Sequence, residues 1–178
     1  LTQKTGVDLP GESCGIMFDY KNFHELEQAT VAFGQGISVT PLQLVTAISA
    51  CVNGGYLLQP HILKEVRNNN NEIIYQAKRK VKRQVIKEET SKKVRDALES
   101  VVTDGGGRNA YIDGYRIGGK TGTAQKAVNG SYVGGGYILS FVGIAPIDDP
   151  QIVLYIAMDN PKNCIQYGGT TVAPIARK

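Results

Sequence analysis

Tryptophan is absent from this chain of 178 residues, histidine occurs twice and cysteine three times. Those scarcities exclude several kinds of chemistry. Cys14, Cys51 and Cys164 form no C-x-x-C pair, so neither a zinc site nor a thioredoxin-like dithiol is expected. An odd, scattered set also gives no disulfide framework, and Cys51, inside an apolar helical stretch, reads as a small core residue. His24 and His61 are isolated and lack H-x-x-x-H spacing, so no metal is expected. No apolar run approaches the roughly 18 residues that a membrane-spanning helix needs. The opening "LTQKTGVDLPGE" has neither the basic start nor the apolar block of a secretory signal. Excess charge is scarce too: the net charge is +4, drawn mostly from "KRKVKR", Lys78 to Arg83. With little aromatic interleaving and no nucleic-acid motif, that run reads as a solvated surface segment, and no nucleic-acid partner is expected.

What remains is an ordinary globular composition, 42% hydrophobic, long enough for one domain or part of a larger one. No internal repeat or interdomain linker interrupts it. In "SVTPLQLVTAISACVNGG", Thr40 is an N-cap, Pro41 suits the first helical position and Gln43 completes a capping box. Leu44, Val45, Ile48, Cys51 and Val52 follow at helical spacing, and Asn53, Gly54 and Gly55 stop the helix. Two β-prone runs then flank the Asn-rich tip Asn68 to Asn71, which predicts a hairpin. "KEETSKKVRDALESVVTDGGG" predicts a second helix, with Glu88 and Glu89 at its positive end and Val94, Ala97, Leu98, Val101 and Val102 on one stripe. Strands are expected around 115–125, 137–145 and 151–158. The last two are joined by the turn "PIDDP" and are apolar on both faces, which predicts a sheet covered on two sides. "GGTTVAPIARK" opens a final helix.

Three motifs compete for the chemistry. "GYRIGGKT", Gly114 to Thr121, fits the phosphate-loop pattern, and Asp159 could serve as a Walker B partner. A phosphate loop must launch a helix, however, and here Gly122, Thr123 and soon Asn129-Gly130 follow, a poor helix in which each interior Gly costs about 1 kcal/mol against Ala. "GESCG", Gly11 to Gly15, fits the nucleophile elbow, but Pro10 stands in the approach and the exit has no helical period, so Ser13 reads as a loop residue. The tripeptide Lys-Thr-Gly occurs twice, at Lys4 and at Lys120. The first copy runs into a polar, Pro-interrupted loop. The second is extended, with Thr121, Thr123 and Gln125 alternating on one side and glycines flanking it, as an active-site edge strand requires.

These features come together in a resemblance. "KTGVDLPGE" (Lys4–Glu12), "ATVAFGQGISVTPLQLVTAISACVNGGYLLQPHI" (Ala29–Ile62), "VVTDGGGRNA" (Val101–Ala110), "GYRIGGKTGTAQK" (Gly114–Lys126) and "SFVGIAPIDDPQIVL" (Ser140–Leu154) resemble the class B penicillin-binding proteins, the D,D-transpeptidases that cross-link peptidoglycan. "GESCGIMF" is most similar to sporulation and division members from spore-forming Gram-positive bacteria. The resemblance implies an α/β fold, an antiparallel sheet sandwiched by helices as in the serine β-lactamases, incomplete here. It implies that the Lys4 copy is a non-catalytic loop and the Lys120 copy the working strand. Lys120 would then supply charge near the catalytic serine. Thr121 and Thr123 would bind the substrate carboxylate, Gly122 would leave room for it, and the Thr123 N–H would help to bind the oxyanion. No cofactor is implied.

Two motifs of that family are missing. No serine has Lys three places on, so S-x-x-K is absent, and no serine has Asn two places on; "YKN" (Tyr20–Asn22) has a related shape but lies after the loop that S-x-N should precede. Residues 1–178 are therefore expected to be the C-terminal portion of a single transpeptidase domain. Its partners would be the upstream half of that domain, D-Ala-D-Ala stem peptides, β-lactams and a membrane glycosyltransferase. Its location would be the outer face of the cytoplasmic membrane, through an anchor outside this chain. Gly106 stands where the family usually has Thr, and Gly119 where Ala is more usual. A penicillin sensor, a non-catalytic scaffold and, more remotely, a nucleotide-binding protein are the alternatives.

Overall fold

A computed structural model describes residues 2–19, 21, 23–32, 34–126, 132 and 136–178. Five helices and seven strands are named among them: α1 (Glu25–Ala32), α2 (Pro41–Val52), β1 (Tyr56–Leu58), β2 (Glu65–Arg67), β3 (Ile73–Gln76), β4 (Val81–Gln84), α3 (Glu88–Thr103), β5 (Gly118–Gln125), β6 (Tyr137–Ala145), β7 (Ile152–Asp159), α4 (Gly168–Thr171) and α5 (Ala173–Ala176). A 3-10 turn, Arg108–Ala110, follows α3.

The capping signals at α2 are realised. Thr40 Oγ1 accepts from Gln43 N at 3.2 Å, and Gln43 Oε1 accepts from Thr40 N at 3.0 Å. At the other end, Arg95 Nη1 donates to Val52 O at 2.9 Å and the fully buried Ser91 accepts from Gly54 N, so α3 closes the end of α2. The Asn-rich tip joins β2 to β3 as an antiparallel hairpin. Sequence periodicity missed a second pairing: β1 runs antiparallel to β4, which overlaps the end of the basic run "KRKVKR". Basic side chains hide a short strand whose apolar content is Val81 alone.

The body is the antiparallel sheet β5-β6-β7. Side chains alternate across it. One face carries Val142, Ile144, Val153 and Tyr155, packed against Ile48, Cys51 and Val52 of α2 and Val94 and Leu98 of α3. The other carries Leu139, Phe141, Ile156 and Met158, packed against Val102, Val172, Ala173 and Ala176. Helices on both faces match the expected sandwich. Full coverage of β7 does not follow: Ile152 is 62% exposed and Leu154 39%. They share the face of Ile156 and Met158, but α4 and α5 reach only the other end of that face. At the entrance to β5, Arg116 forms a two-pronged pair with Glu99 of α3, at 2.8 and 2.7 Å. That pair holds the Glu99 carboxyl below the usual carboxylate range.

Candidate functional site

The second Lys-Thr-Gly lies on β5, not at the start of a helix, so the strand continues through the residues a phosphate loop would coil. Asn129, Gly130 and Gly134 lie outside the described residues, as do Tyr20 and Asn22 of "YKN". Ser13 is exposed in a loop with no strand leading into it, which removes the elbow reading.

Pairing parity decides which groups β5 offers. Lys126 N donates to Gly136 O at 2.8 Å, and the register places Gly122 opposite Ser140 and Lys120 opposite Val142. In an antiparallel ladder, hydrogen-bonded pairs alternate with non-bonded ones. Gly118, Lys120, Gly122 and Ala124 therefore turn their main-chain groups towards β6. Gly119, Thr121, Thr123 and Gln125 turn theirs to the opposite edge, where no strand pairs with β5 among the described residues. The Thr123 N–H projects from that open edge.

The side chains separate by the same alternation. Lys120 and Gly122 share a face with Ser140, while Thr121, Thr123 and Gln125 lie on the face of Phe141, Leu139 and Tyr137. The exposed Lys120 ammonium folds over the edge and donates to the outward-pointing Thr121 O at 2.8 Å. Among the described residues it forms no ion pair. Thr123 Oγ1 accepts a 3.1 Å hydrogen bond from Gly168 N of α4. Gly122 is fixed by packing: a Cβ there would strike Ser140 Oγ. Beyond Thr123 opens a cavity of about 610 Å³, lined by Thr123, Gln125 and Tyr137 from the sheet and by Phe18, Leu26 and Gly36 opposite.

The two departures at glycine have physical partners. A Cβ on Gly119 would strike the Phe141 ring and lie 2.7 Å from Val142 O, so Gly119 admits that ring to the core. A Cβ on Gly106 would lie 2.9 Å from Tyr167 Oη.

The first Lys-Thr-Gly is closed. Thr5 is buried, and its N–H and hydroxyl both donate to Glu12 Oε1, at 2.6 and 2.5 Å. Gly6 N donates to Glu12 Oε2 at 3.0 Å, Gly6 O accepts from Gln59 Nε2 at 2.6 Å, and Lys82 Nζ donates to Thr5 O. Asp8 accepts from Ile62 N and Leu63 N at 2.7 and 2.9 Å. The Thr5 hydrogen bonds hold the Glu12 carboxyl below its usual range, and the Ile62 and Leu63 amides do so for Asp8. Sequence reasoning missed the contact between Gly168 and Thr123. Its signal was the glycine pair opening "GGTTVAPIARK", where a helix start needs room for close approach.

The family model for the penicillin binding protein transpeptidase domain matches residues 1–178. Stage V sporulation protein D of Bacillus subtilis is 56% identical over 174 residues, which cover 97% of this chain and 27% of that protein. A probable peptidoglycan D,D-transpeptidase of Neisseria flavescens is 35% identical over 170 residues, 95% of this chain and 40% of that protein. Among solved structures, the apo transpeptidase domain of Burkholderia pseudomallei penicillin-binding protein 3 superposes with a TM-score of 0.83 at 36% identity, covering 99% of this chain and 51% of that one. Apo penicillin-binding protein 3 of Mycobacterium tuberculosis gives 0.88 at 33% identity, covering 99% and 42%. That protein is also solved with aztreonam and with ampicillin. This chain therefore spans about half or less of these relatives.

Proposed function

This chain belongs to the family of penicillin-binding protein transpeptidase domains, and on that premise we propose that it is the C-terminal portion of a serine D,D-transpeptidase that cross-links peptidoglycan. In this reading the chain supplies the Lys-Thr-Gly strand, and the upstream half of the same domain supplies the nucleophile. The open edge of β5 carries the proposal: among the described residues, no strand pairs with the Thr123 N–H and the Lys120 ammonium forms no ion pair, its hydrogen bond going to Thr121 O on that edge.

The reaction is acyl transfer in two steps. The serine oxygen attacks the carbonyl of the penultimate D-Ala, and the C–N bond to the terminal D-Ala breaks. The departing amine takes the proton that the serine loses. An amine of a neighbouring stem peptide then attacks the ester, forms the new amide and returns a proton to the serine. Lys120 stabilises negative charge near that serine and near the substrate carboxylate. Thr121 and Thr123 donate hydroxyl hydrogen bonds to the carboxylate, and Gly122 leaves room for it. The Thr123 N–H is one donor to the oxyanion, a contribution of about 3 kcal/mol when such a donor is well placed. A penicillin carries an equivalent carboxylate and halts the cycle after the first step.

The half-bare sheet supports the need for an upstream half. Ile138, Ile152 and Leu154 remain exposed on the sheet, although Leu139, Phe141, Val142 and Ile144 of β6 are buried. The site of action would be the outer face of the cytoplasmic membrane, with the anchor elsewhere in the protein. Partners would be lipid-linked glycan strands and a membrane glycosyltransferase. The high identity to a sporulation protein favours a role in spore formation.

Extending the chain upstream through its native coding sequence and recording intact masses after exposure to penicillin tests the proposal. One adduct on the extended protein and none on residues 1–178 is expected. A folded extended protein that takes no adduct would instead mark a scaffold.

A further inference from the structure

Behind Thr123, on the face of β5 away from Lys120, stands the short helix α4. Gly168 N donates to Thr123 Oγ1 at 3.1 Å. The approach is so close that a Cβ on Gly168 would strike Gly122 O and lie 2.6 Å from Ser140 O. A Cβ on Gly169 would strike Gly106 O, on the glycine turn that ends α3. From that same region Asn109 Nδ2 donates to Gly169 O at 2.8 Å. An unbroken line of contacts thus runs from Asn109, in the 3-10 turn, through Gly169 and Gly168 to the Thr123 hydroxyl.

A hydroxyl has one proton and two lone pairs. The Gly168 N–H occupies one lone pair of Thr123 Oγ1, so the hydroxyl proton must point elsewhere and is available to an acceptor at the open edge. Thr123 is also β-branched, so its χ1 has few alternatives once that contact is made. We propose that Asn109 and the Gly168–Gly169 turn are positioning residues that aim the Thr123 hydroxyl at the ligand carboxylate. Neither touches the ligand. The inference rests on the transpeptidase reading above and assigns to the start of α4 a role in recognising the carboxylate.

The test uses the upstream-extended protein and a β-lactam that carries a carboxylate, with the binding constant and the acylation rate measured separately. Asn109→Ala is expected to weaken binding about threefold and Gly168→Ala about tenfold, with the acylation rate at saturation little changed, because one hydrogen bond to the hydroxyl is at stake. In a Thr123→Val background, which removes the hydroxyl and keeps the shape, both effects should vanish. Thr123→Ser keeps the acceptor and should keep the sensitivity to Asn109→Ala. Effects that add in the Val background, or unaltered binding in both single variants, would overturn the proposal. Should Gly168→Ala fail to fold, the exposed Asn109 carries the cycle by itself. An unmodified protein that takes no adduct would overturn the transpeptidase reading. A reactive one with additive effects would overturn only the positioning role.

Discussion

The same three residues, Lys-Thr-Gly, occur twice in this chain and meet opposite fates. At Lys4 the tripeptide is consumed by its own fold: Glu12 takes both Thr5 donors and the Gly6 N–H, while Gln59 and Lys82 take the carbonyls of Gly6 and Thr5. At Lys120 it lies on a strand that, among the described residues, pairs on one side only, and alternate main-chain groups turn to the edge where no described strand pairs. The difference teaches that a short motif is chemically silent until its hydrogen-bond accounting is known. A site that recognises a ligand must hold donors in reserve, and a structural turn must hold none.

Disabling each copy in turn gives the largest contrast. In the upstream-extended protein, Lys120→Ala is expected to slow penicillin acylation by about 100-fold or more, as loss of a preorganised charge at the reacting group does. Lys4→Ala should leave the rate within about twofold. Stopped-flow acylation rates check both, and equal losses would erase the distinction.

The residue before each copy sharpens it. Gly119 is buried against Phe141, so Gly119→Ala should cost about 1–3 kcal/mol by overpacking. Gln3 is exposed, and Gln3→Ala should stay within about 0.5 kcal/mol. Urea unfolding of both variants reads the pair.

Glu12→Gln is a smaller perturbation and acts on the silent copy alone. It weakens the acceptor shared by Thr5 and Gly6, so the melting temperature should fall by a few degrees. Acylation per folded molecule should not change.

The mildest expected effect is that of pH. Glu12 and Asp8 have folded-state pKa values below their unfolded ones. Their stabilisation is in force above the ordinary carboxylate range and fades as pH falls through the folded values. Melting temperatures should therefore drop in mild acid, and Glu12→Gln should flatten that drop.

Much of this was legible in the sequence. Capping residues gave α2 its start, the apolar stripe gave α3, and near-continuous apolar runs gave β6 and β7, because each signal is local. The strand β1-β4 was hidden because its pairing joins distant segments and one partner is mostly basic. The reach of the helices over β7 was misjudged because apolar residues on both faces say nothing about what lies above them. The Lys-Thr-Gly copy that lies on a strand, at Lys120, could be told from the other by its extended flanks. Its partner Gly168 was not picked: the glycine pair marks room for a close approach, but no local pattern says which strand approaches.

Residue-resolved amide hydrogen exchange on the 178-residue chain tests the central contrast most directly. Thr5, Gly6, Lys120 and Gly122 amides should exchange slowly, and Thr121 and Thr123 amides at close to the unprotected rate. Protection of Thr121 and Thr123 equal to that of Lys120 and Gly122, or free exchange at Thr5, would contradict the account.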